Sequence, residues 1–421
     1  MPLKIVYLHQ YFNTPEMQGG TRSYEFAKRL VAKGHKVDLI TSDRSPESKG
    51  KSGWRTTDED GITVHWYAVP YSNEMGFFER VKAFFAFAYA STRYAISIDA
   101  DIVFATSTPL TIAIPGILKK WTAKVPLVFE VRDLWPELPI AVGALKNPIL
   151  KFAARLLESL AYKNSEAVVA LSPGMRDGVL KTGYDPQRVC VIPNACDNES
   201  FIAEPDKIMA FRNARDWLGN NPLLLYAGTL GLINGVGYLV DVARHLQNIA
   251  PNVRLLIVGE GQERRKIHEQ AIAAGVLNNN LFIENYLPKN EMATLFGAAD
   301  ISASLFIDLP EMRANSANKF FDTLAAGRPI LINYGGWQAK IVSETRAGLV
   351  TWGMPIEDVA NHIAEHIADE DWLKSASKSS KRLSQELFDR DKLADEFAIL
   401  LEMAAQKKGD QVSKISQNQY D

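Results

Sequence analysis

The sequence predicts an α/β protein with two parallel-sheet domains of similar, Rossmann-like design. Apolar strand segments alternate with amphipathic helices almost from end to end of the 421 residues, which is the pattern of βαβ units. The pattern restarts after a break, with a new first strand at 222–230. A chain of this length can bury two separate cores. We therefore expect two doubly wound domains, one after the other.

The first domain is predicted over residues 1–195. A strand, a helix and a second strand follow one another as "KIVYLHQYF", "TRSYEFAKRLVAKG" and "HKVDLITSD". Further strands are indicated by "GITVHWYAV", "DIVFAT", "PLVFEV" and "AVVALS". The linker is expected near "RVCVIPNACDNESF", where Pro193 and the polar residues after it interrupt the periodicity.

The second domain is predicted over residues 196–387. Its strands are indicated by "PLLLYAGTL", "VRLLIVGEG", "LFIENYLP", "ISASLF", "RPILINYGG" and "AGLVTW". A last helix at 388–406 is expected to return to the first domain. The polar tail at 407–421 is expected to be disordered.

Composition excludes several classes of protein. There are 47 basic and 49 acidic side chains and a formal net charge of -2, so no overall charge favours nucleic acid. Two cysteines, Cys190 and Cys196, form neither a disulfide framework nor a four-ligand zinc site. The N-terminus reads as a strand and lacks a secretory signal, so a cytoplasmic location is expected.

Two glycine turns between strand and helix are candidate phosphate sites, because backbone amides at a helix N-terminus bind anions. The first contains Gly19 and Gly20 and is followed by Arg22. A plain turn and a dinucleotide site with Asp43 on the ribose are the alternatives, and the G-x-G-x-x-G fingerprint of the latter is absent.

The second turn, "AGTLGLINGVG", carries Gly228 and Gly231 and no basic side chain. Cations would have to come from elsewhere, and Arg313 and Lys319 are the best placed by sequence. A solvated helix lysine is the alternative interpretation of Lys319.

Two further segments draw attention. "FEVRDLWPELP" places Arg132 and Asp133 directly after a strand, which indicates a site, although an ion pair that only organises the loop would look the same. The apolar helix at 77–96 is too short in its uncharged part to cross a bilayer. It could lie at a membrane interface or bind a lipid-linked acceptor, or it could be a core helix.

The motifs "GGTRSYEFAKRLVAKGHKV", "VRDLWPE", "VIPNACDNESF", "LLYAGTLG", "LLIVGEG" and "NKFFDTLAAGRPI" occur in an order that resembles the retaining glycosyltransferases of family 4. Within that family the chain looks most like bacterial polysaccharide and O-antigen enzymes of the "GGTR" and "DLWPE" type. The resemblance covers about residues 4 to 400. It implies the GT-B fold, in which two Rossmann-like domains with parallel sheets face each other across an interdomain cleft.

The resemblance implies that Asp322 holds the ribose hydroxyls of a nucleotide, at the position of a family carboxylate. The sequence departs from the family elsewhere. A second carboxylate is replaced by Ala314, the phosphate-binding Arg and Lys by Thr229 and Asn234, and a histidine by Arg132. Glu311, or backbone amides around Asn315 and Ser316, would then have to bind the donor sugar. The family binds the base through a loop that here contains Asn285, Tyr286 and Leu287.

The resemblance further implies sugar transfer from a nucleotide-diphosphate sugar, UDP-linked by preference and with an N-acetylated hexosamine as one option, without a metal or other cofactor. The acceptor would be a hydroxyl of a glycan or of a polyprenyl-diphosphate-linked saccharide, reached at the inner face of the membrane. Asp133, Arg132 and Glu311 are the catalytic candidates. A sugar-nucleotide epimerase of the same fold, with His9 and Asp133 as weak support, and an inactive homologue acting as an assembly partner are the alternatives.

Overall fold

A computed structural model of the chain describes residues 2–17, 19–45, 53–69, 75–416 and 419–420. Contacts divide the chain into two units. The N-terminal unit comprises Met1–Pro193 with Asp391–Asp421, and the C-terminal unit comprises Asn194–Arg390. The chain therefore passes from one unit to the other after Pro193 and again after Arg390. The sequence had predicted these two limits at residues 195 and 387.

The N-terminal unit is built on an eight-stranded sheet with the order β3-β4-β2-β1-β5-β6-β7-β8. All neighbours are parallel except β3 and β4. The strands are β1 (Lys4–Leu8), β2 (Lys36–Asp43), β3 (Trp54–Glu59), β4 (Ile62–Ala68), β5 (Ile102–Thr106), β6 (Leu127–Val131), β7 (Ala167–Ala170) and β8 (Val189–Val191). Because a parallel sheet is covered on both faces, the central strands are continuous apolar runs.

Helices connect these strands. They are α1 (Arg22–Ala32), α2 (Phe77–Ser97), α3 (Ala113–Ala123), α4 (Glu137–Ala141), α5 (Pro148–Lys163) and α6 (Pro173–Lys181). The start of α5 shows how the sequence sets a helix limit: the Asn147 side chain accepts hydrogen bonds from the amides of Ile149 and Leu150, and a proline occupies the first turn.

The C-terminal unit has a six-stranded, fully parallel sheet with the order β11-β10-β9-β12-β13-β14. Its strands are β9 (Leu223–Ala227), β10 (Arg254–Val258), β11 (Leu281–Glu284), β12 (Ile301–Ser304), β13 (Ile330–Ile332) and β14 (Gly348–Val350). Its helices are α7 (Pro205–Asn213), α8 (Tyr238–Ile249), α9 (Arg264–Ala273), α10 (Met292–Ala298), α11 (Asn318–Ala325), α12 (Trp337–Thr345), α13 (Ile356–Ala368) and α14 (Glu370–Glu386).

Two apolar cores lie on the two faces of this second sheet. Leu224 and Tyr226 of β9 belong to one core, which also receives α8 and α13. Leu223 and Leu225 belong to the other. Successive side chains of a strand point to opposite faces, so both faces are covered. The prediction of two parallel-sheet α/β domains is confirmed.

The chain ends on the N-terminal unit. The last helix, α15 (Arg390–Ala405), places Phe397 against Phe26 of α1 and Phe104 of β5, with ring centroids 5.2 and 4.8 Å apart. The prediction of a disordered tail is wrong for Gly409–Ser416, which forms a 3-10 helix. The polar composition of this segment did not indicate the contact that orders it: the Ser416 hydroxyl accepts a hydrogen bond from the Val191 amide at 2.9 Å. Residues 417, 418 and 421 of the predicted tail lie outside the described residues.

Within the described residues, no helix combines the length and hydropathy that crossing a membrane would require. The helix predicted at 77–96 is α2, and its apolar character has to be explained in another way.

Candidate functional site

Each sheet has one point where the strand order reverses, and ligands of such sheets bind beyond the carboxyl ends of the strands there. In the C-terminal unit the point lies between β9 and β12. The turn after β9 contains the glycines predicted from the sequence, and the loop after β12 leads to the predicted Arg313 and Lys319. The two loops touch, because the Ile307 amide donates to the Ile233 carbonyl at 3.0 Å.

The turn after β9 is shaped by Gly228. Its φ is 152°, a conformation that favours glycine, and its amide donates to the Val258 carbonyl at 2.9 Å. A Cβ at this position would lie 2.9 Å from Cδ of Lys319. The glycine therefore leaves the space through which a lysine from α11 reaches the turn.

Lys319 supplies the cation that the turn lacks in sequence. Its Nζ donates to Oδ1 of Asn234 at 2.9 Å and lies 5.3 and 5.5 Å from the ring centroids of Tyr226 and Phe306. Burial lowers the pKa of Lys319 to about 8, with Asp322 opposing the shift. Since Asn234 is neutral, the hydrogen-bond partner of the ammonium does not cancel its charge.

Two backbone donors of the same turn are available. Within the described residues, the amides of Thr229 and Gly231 make no backbone hydrogen bond, whereas that of Leu230 donates to Glu260. The Thr229 side chain is exposed, and its carbonyl accepts from the Tyr226 hydroxyl at 2.9 Å. Two free amides and a lysine ammonium on one glycine turn are groups that can bind an anion.

Asp322 lies one helical turn after Lys319 on α11 and is half-buried. Burial raises the pKa of its carboxyl to about 7, although Arg390 and Lys289 act in the opposite direction. A carboxylate is an acceptor with room for two hydrogen bonds, so this position suits a pair of hydroxyl groups.

The loop before α11 is a short 3-10 helix, Pro310–Ala314. Arg313 is exposed, with its guanidinium 4.9 Å from the Trp352 ring centroid and 3.9 Å from the Asp308 carboxylate. The stacking holds the guanidinium while leaving its donors in solvent. Glu311 is half-buried, and no hydrogen bond or ion pair to its carboxylate occurs among the described residues.

Of the backbone amides predicted around Asn315 and Ser316, those of Asn315 and Ala317 already have partners. The Asn315 amide donates to Met312 at 3.1 Å, and its side-chain oxygen accepts from the Ala317 amide at 3.2 Å. The Ser316 hydroxyl accepts from the Asn194 amide at 3.2 Å. These groups hold the loop in shape, so the amides of Asn315 and Ala317 are not free for a donor sugar.

Tyr286 lies elsewhere on the same edge. It is exposed and follows β11, the edge strand two places from β9. Its neighbour Asn285 accepts a hydrogen bond from Arg264 at 2.7 Å. The structure therefore places the predicted base loop beyond the carboxyl end of the same sheet but does not bring Tyr286 into contact with Lys319.

The first glycine turn, in the N-terminal unit, differs from the second in the position of its nearest cation. Gly19 has a φ of 130°, and a Cβ there would lie 2.6 Å from Nδ2 of Asn13, which also donates to the Gly20 carbonyl at 3.4 Å. Arg22 turns inward: it is buried, pairs with the Glu130 carboxylate at 2.9 Å and donates to the carbonyls of Ile192 and Pro193. The prediction that Arg22 binds phosphate is wrong, because its guanidinium is already satisfied inside the unit.

The segment after β6 does form a polar cluster. The Thr108 hydroxyl donates to the Asp133 carboxylate at 2.8 Å, and burial raises the pKa of Asp133 against the opposing effects of Thr108 and Arg132. Nη1 of Arg132 lies 3.4 Å from Nε2 of His9. No Arg132–Asp133 ion pair is found within the described residues, so the loop-organising alternative is not what the structure shows.

His9 was considered only as weak support for the epimerase alternative and was not among the predicted site residues of a glycosyltransferase. It directly follows β1, at the point where the strand order of the first sheet reverses. Its pKa lies well below the usual range because of burial, with Arg132 and Arg44 adding to the shift. Within the described structure its buried Nδ1 has no hydrogen-bond partner. A polar residue at the end of an apolar first strand was the available signal.

Comparison with known proteins covers most of both units. Residues 19–195 match the family described as "Glycosyl transferase 4-like domain", and residues 207–386 match "Glycosyl transferases group 1". The chain belongs to the glycosyltransferases built from these two domains.

Relatives of this glycosyltransferase are distant. It is 22% identical over 298 residues to WbjE of Pseudomonas aeruginosa, provisionally named a glycosyltransferase, which covers 69% of this chain and 72% of that protein. It is 23% identical to WcaI of Escherichia coli, provisionally named a colanic acid biosynthesis glycosyl transferase, over 64% of this chain and 69% of that one. Among solved structures, Anabaena HepE in complex with UDP-glucose superimposes with a TM-score of 0.72 at 18% identity, over 95% of this chain and 99% of that one. The likeness shows the GT-B fold.

Proposed function

We propose that this glycosyltransferase transfers a sugar from a UDP-linked donor, with retention of anomeric configuration, to a hydroxyl of a glycan or lipid-linked saccharide in the synthesis of a surface polysaccharide. The observation that carries the proposal is Lys319, which crosses from α11 to the glycine turn at Gly228 and carries a charge that its hydrogen-bond partner does not neutralise. The similarity to WcaI supports a polysaccharide as the product, and the HepE complex with UDP-glucose supports the choice of base.

The diphosphate of the donor would bind at the turn after β9. The amides of Thr229 and Gly231 and the Lys319 ammonium are the donors available there, and an anion would raise the pKa of Lys319 again by favouring its charged form. Binding would therefore be coupled to a protonated lysine.

The ribose would be held by Asp322. A carboxylate that is half-buried and lacks a hydrogen bond in the described structure binds a vicinal diol through two hydrogen bonds. Because ribose oxygens replace the water around the carboxylate, the 2′- and 3′-hydroxyls would contribute to affinity. Arg313, stacked on Trp352 and open to solvent, would add a second cation, while Glu311 is the acceptor left for a sugar hydroxyl.

The transfer itself would follow a dissociative, front-face route. The bond between the anomeric carbon and the diphosphate oxygen breaks, and the acceptor oxygen bonds to the same face of that carbon. The acceptor proton passes to the departing phosphate oxygen, whose growing charge Lys319 and Arg313 stabilise. In the N-terminal unit, Asp133 is the carboxyl group to test as a catalytic residue that assists the transfer. Arg132 and His9 would orient the acceptor.

The acceptor side would approach a membrane through the N-terminal unit. On α2, Phe78, Phe85 and Tyr89 are 82%, 56% and 66% exposed, and α3 contacts both α2 and α5. On α5, Ile149 and Phe152 are also exposed.

Exposed aromatic and aliphatic side chains next to the basic Lys82, Arg93 and Arg155 suit an anionic lipid surface at the cytoplasmic face. Loss of co-sedimentation with anionic vesicles in Phe85→Ser and Phe152→Ser, compared with the parent chain, tests this contact.

The donor assignment is tested by thermal shift with UDP, GDP, ADP and CDP, because a ligand that binds only the folded chain raises its melting temperature. We expect UDP to give the largest shift, Lys319→Ala to abolish most of it, and Lys340→Ala, which removes an exposed lysine from α12 of the same unit, to leave it unchanged. A panel in which UDP does not stabilise the chain more than the other nucleotides would overturn the choice of donor. Equal shifts in both lysine variants would overturn the phosphate site.

A further inference from the structure

Helix α13 carries a group of side chains that the sugar-transfer site does not use. His362 and His366 are one turn apart on the same helix face, and Glu365 lies beside them. One ligand atom from each of the three side chains lies within 4.8 Å of the other two, and this is the one group of three such residues in the described chain. Glu365 is exposed and both histidines are half-buried, so the group is open to solvent.

The hydrogen bond made by His366 selects its tautomer. Its Nδ1 lies 2.8 Å from the His362 carbonyl oxygen, and because a carbonyl only accepts, Nδ1 carries the proton. Neutral His366 therefore presents the lone pair of Nε2. Histidines that bind metals commonly donate their other ring nitrogen to a carbonyl or carboxylate in this way, which fixes the ring and raises its basicity as a ligand.

Ring contacts also orient the two histidines. The rings of His362 and His366 are 4.3 Å apart, and His366 packs edge-to-face on Trp372 at 4.7 Å. These ring contacts hold both imidazoles in position.

We propose that His362, Glu365 and His366 form a binding site for a divalent transition-metal ion, with zinc as the best match. Two imidazole nitrogens and a carboxylate oxygen are ligands that zinc accepts, with bonds of about 2.0–2.2 Å. Ligand atoms at such bond lengths around a tetrahedral ion lie about 3.4 Å apart, so the side chains must close by up to about 1.4 Å, and Glu365, the exposed member of the group, is open to solvent. The fourth position is left to water.

The site is separate from the proposed sugar-transfer chemistry. The three ligands lie on α13, whereas the phosphate and ribose candidates lie on the turn after β9 and on α11. A bound metal ion would link two turns of α13 and hold His366 against Trp372 at the start of α14. It would therefore stabilise this part of the C-terminal unit. The inference does not depend on the identity of the donor or acceptor.

The test is a calorimetric titration of ZnCl₂ into the full chain, purified without a histidine tag and stripped with a chelator. We expect one zinc ion per chain with a Kd tighter than about 100 µM. His362→Ala and His366→Ala should each weaken binding more than about tenfold, and Glu365→Gln should weaken it less. His268→Ala, which removes an exposed histidine from α9 of the same unit, is the matched control and should bind like the parent chain.

Two outcomes contradict the proposal: no binding tighter than about 100 µM, or equal affinity in the parent chain, His362→Ala and His366→Ala. His362→Gln keeps most of the side-chain volume and serves in place of His362→Ala if circular dichroism shows that the alanine variant is unfolded. A Co²⁺ titration of the parent chain gives a second readout, because visible absorption bands of a tetrahedral or five-coordinate ion, absent in His366→Ala, would report imidazole ligation.

Discussion

The two glycine turns of this glycosyltransferase look alike in sequence and differ in what they do with the nearest cation. At Gly19 the following arginine, Arg22, is buried in an ion pair with Glu130 and two further carbonyl contacts. At Gly228 a distant lysine, Lys319, arrives from α11 and rests on a neutral amide and two aromatic rings. One cation serves the fold, and the other remains available to a ligand.

The difference shows how a structural cation can be told from a binding one. A guanidinium next to a buried carboxylate is neutralised, and separating the pair would leave a charge in the interior. Lys319 is an ammonium whose hydrogen-bond partner is a neutral amide, and burial lowers its pKa. It therefore carries a desolvation penalty that an anionic ligand relieves. To predict whether a cation binds a ligand, the charge of the partner that it already has is therefore a better criterion than its proximity to a glycine turn.

The largest expected effect belongs to the structural cation. Arg22→Ala leaves the fully buried Glu130 without its partner, which destabilises the fold by about 3–5 kcal/mol. Urea unfolding measures this loss. A variant that removes both charges, Arg22→Met with Glu130→Gln, should recover much of the stability. If Arg22→Ala kept its urea midpoint but lost UDP binding, the assignment of the two cations would be reversed.

The next effect belongs to Lys319, the proposed binding cation. Lys319→Ala should lower turnover of the donor about 10²–10³-fold, as expected for the loss of a group that stabilises leaving-group charge, while the urea midpoint stays close to that of the parent chain. Arg313→Ala should lower turnover less, because its guanidinium is exposed. Steady-state assays of nucleotide release, with Lys340→Ala as control, give both values. Turnover within a few-fold of the parent in both variants would remove the idea that these residues replace the missing family cations.

Much of this architecture could be predicted from sequence. The alternation of strands and helices and its restart near Leu223 gave two parallel-sheet units, because hydrophobic periodicity is a local property. The fate of Arg22 could not be predicted, since its partner Glu130 lies 108 residues away. Asn315 was misread for a similar reason: the hydrogen bonds that its amide and side chain make within the loop are set by packing that has no sequence period.

The position of Lys319 was predictable only in part. The lack of basic residues in the turn after β9 indicated that a cation had to come from elsewhere, and Lys319 was one of two candidates. That its side chain passes over Gly228 depends on the glycine φ of 152° and on the placing of α11. His9 was not assigned to the glycosyltransferase site because a single histidine after a strand carries no spacing pattern.

A smaller effect is expected at Asp322. Asp322→Asn should weaken UDP binding about ten- to thirtyfold, in line with the loss of a charged hydrogen-bond acceptor. The parent chain should lose several-fold in affinity for 2′-deoxy-UDP relative to UDP, and the variant should not distinguish the two. Calorimetry with both ligands measures this cycle. Equal discrimination in the parent and the variant would place the ribose elsewhere.

The same substitution should also change stability with pH in a defined direction. Burial raises the pKa of Asp322 to about 7 from the model-peptide value of 3.8, so the folded chain holds this proton more tightly than the unfolded chain. Stability is lost as pH rises from about 4 to 7. Asp322→Asn should therefore raise the melting temperature at pH 8 and change it little at pH 4.

The smallest effect, and the one most specific to the comparison, is the pH dependence of UDP binding. The pKa of Lys319 is lowered to about 8 in the free chain, so the ammonium is mostly lost by pH 9. Asp322, whose pKa is raised to about 7 by burial, becomes more fully ionised over this interval, and Tyr226 stays neutral, since burial raises the pKa of its phenol. The terminal phosphate of UDP is fully ionised from pH 7.5 upward, because its second pKa is about 6. Affinity should therefore fall several-fold between pH 7.5 and pH 9 as Lys319 loses its proton.

Lys319→Arg separates this explanation from a general effect of pH. A guanidinium keeps its charge throughout the interval, so the arginine variant should bind UDP equally at pH 7.5 and pH 9. Lys319→Ala, although weak, should also show no slope, because it has no proton to lose at that position. A parallel fall in all three proteins would trace the slope to another group. A flat profile in the parent chain would mean that the ammonium at the second glycine turn is not the group that meets the diphosphate.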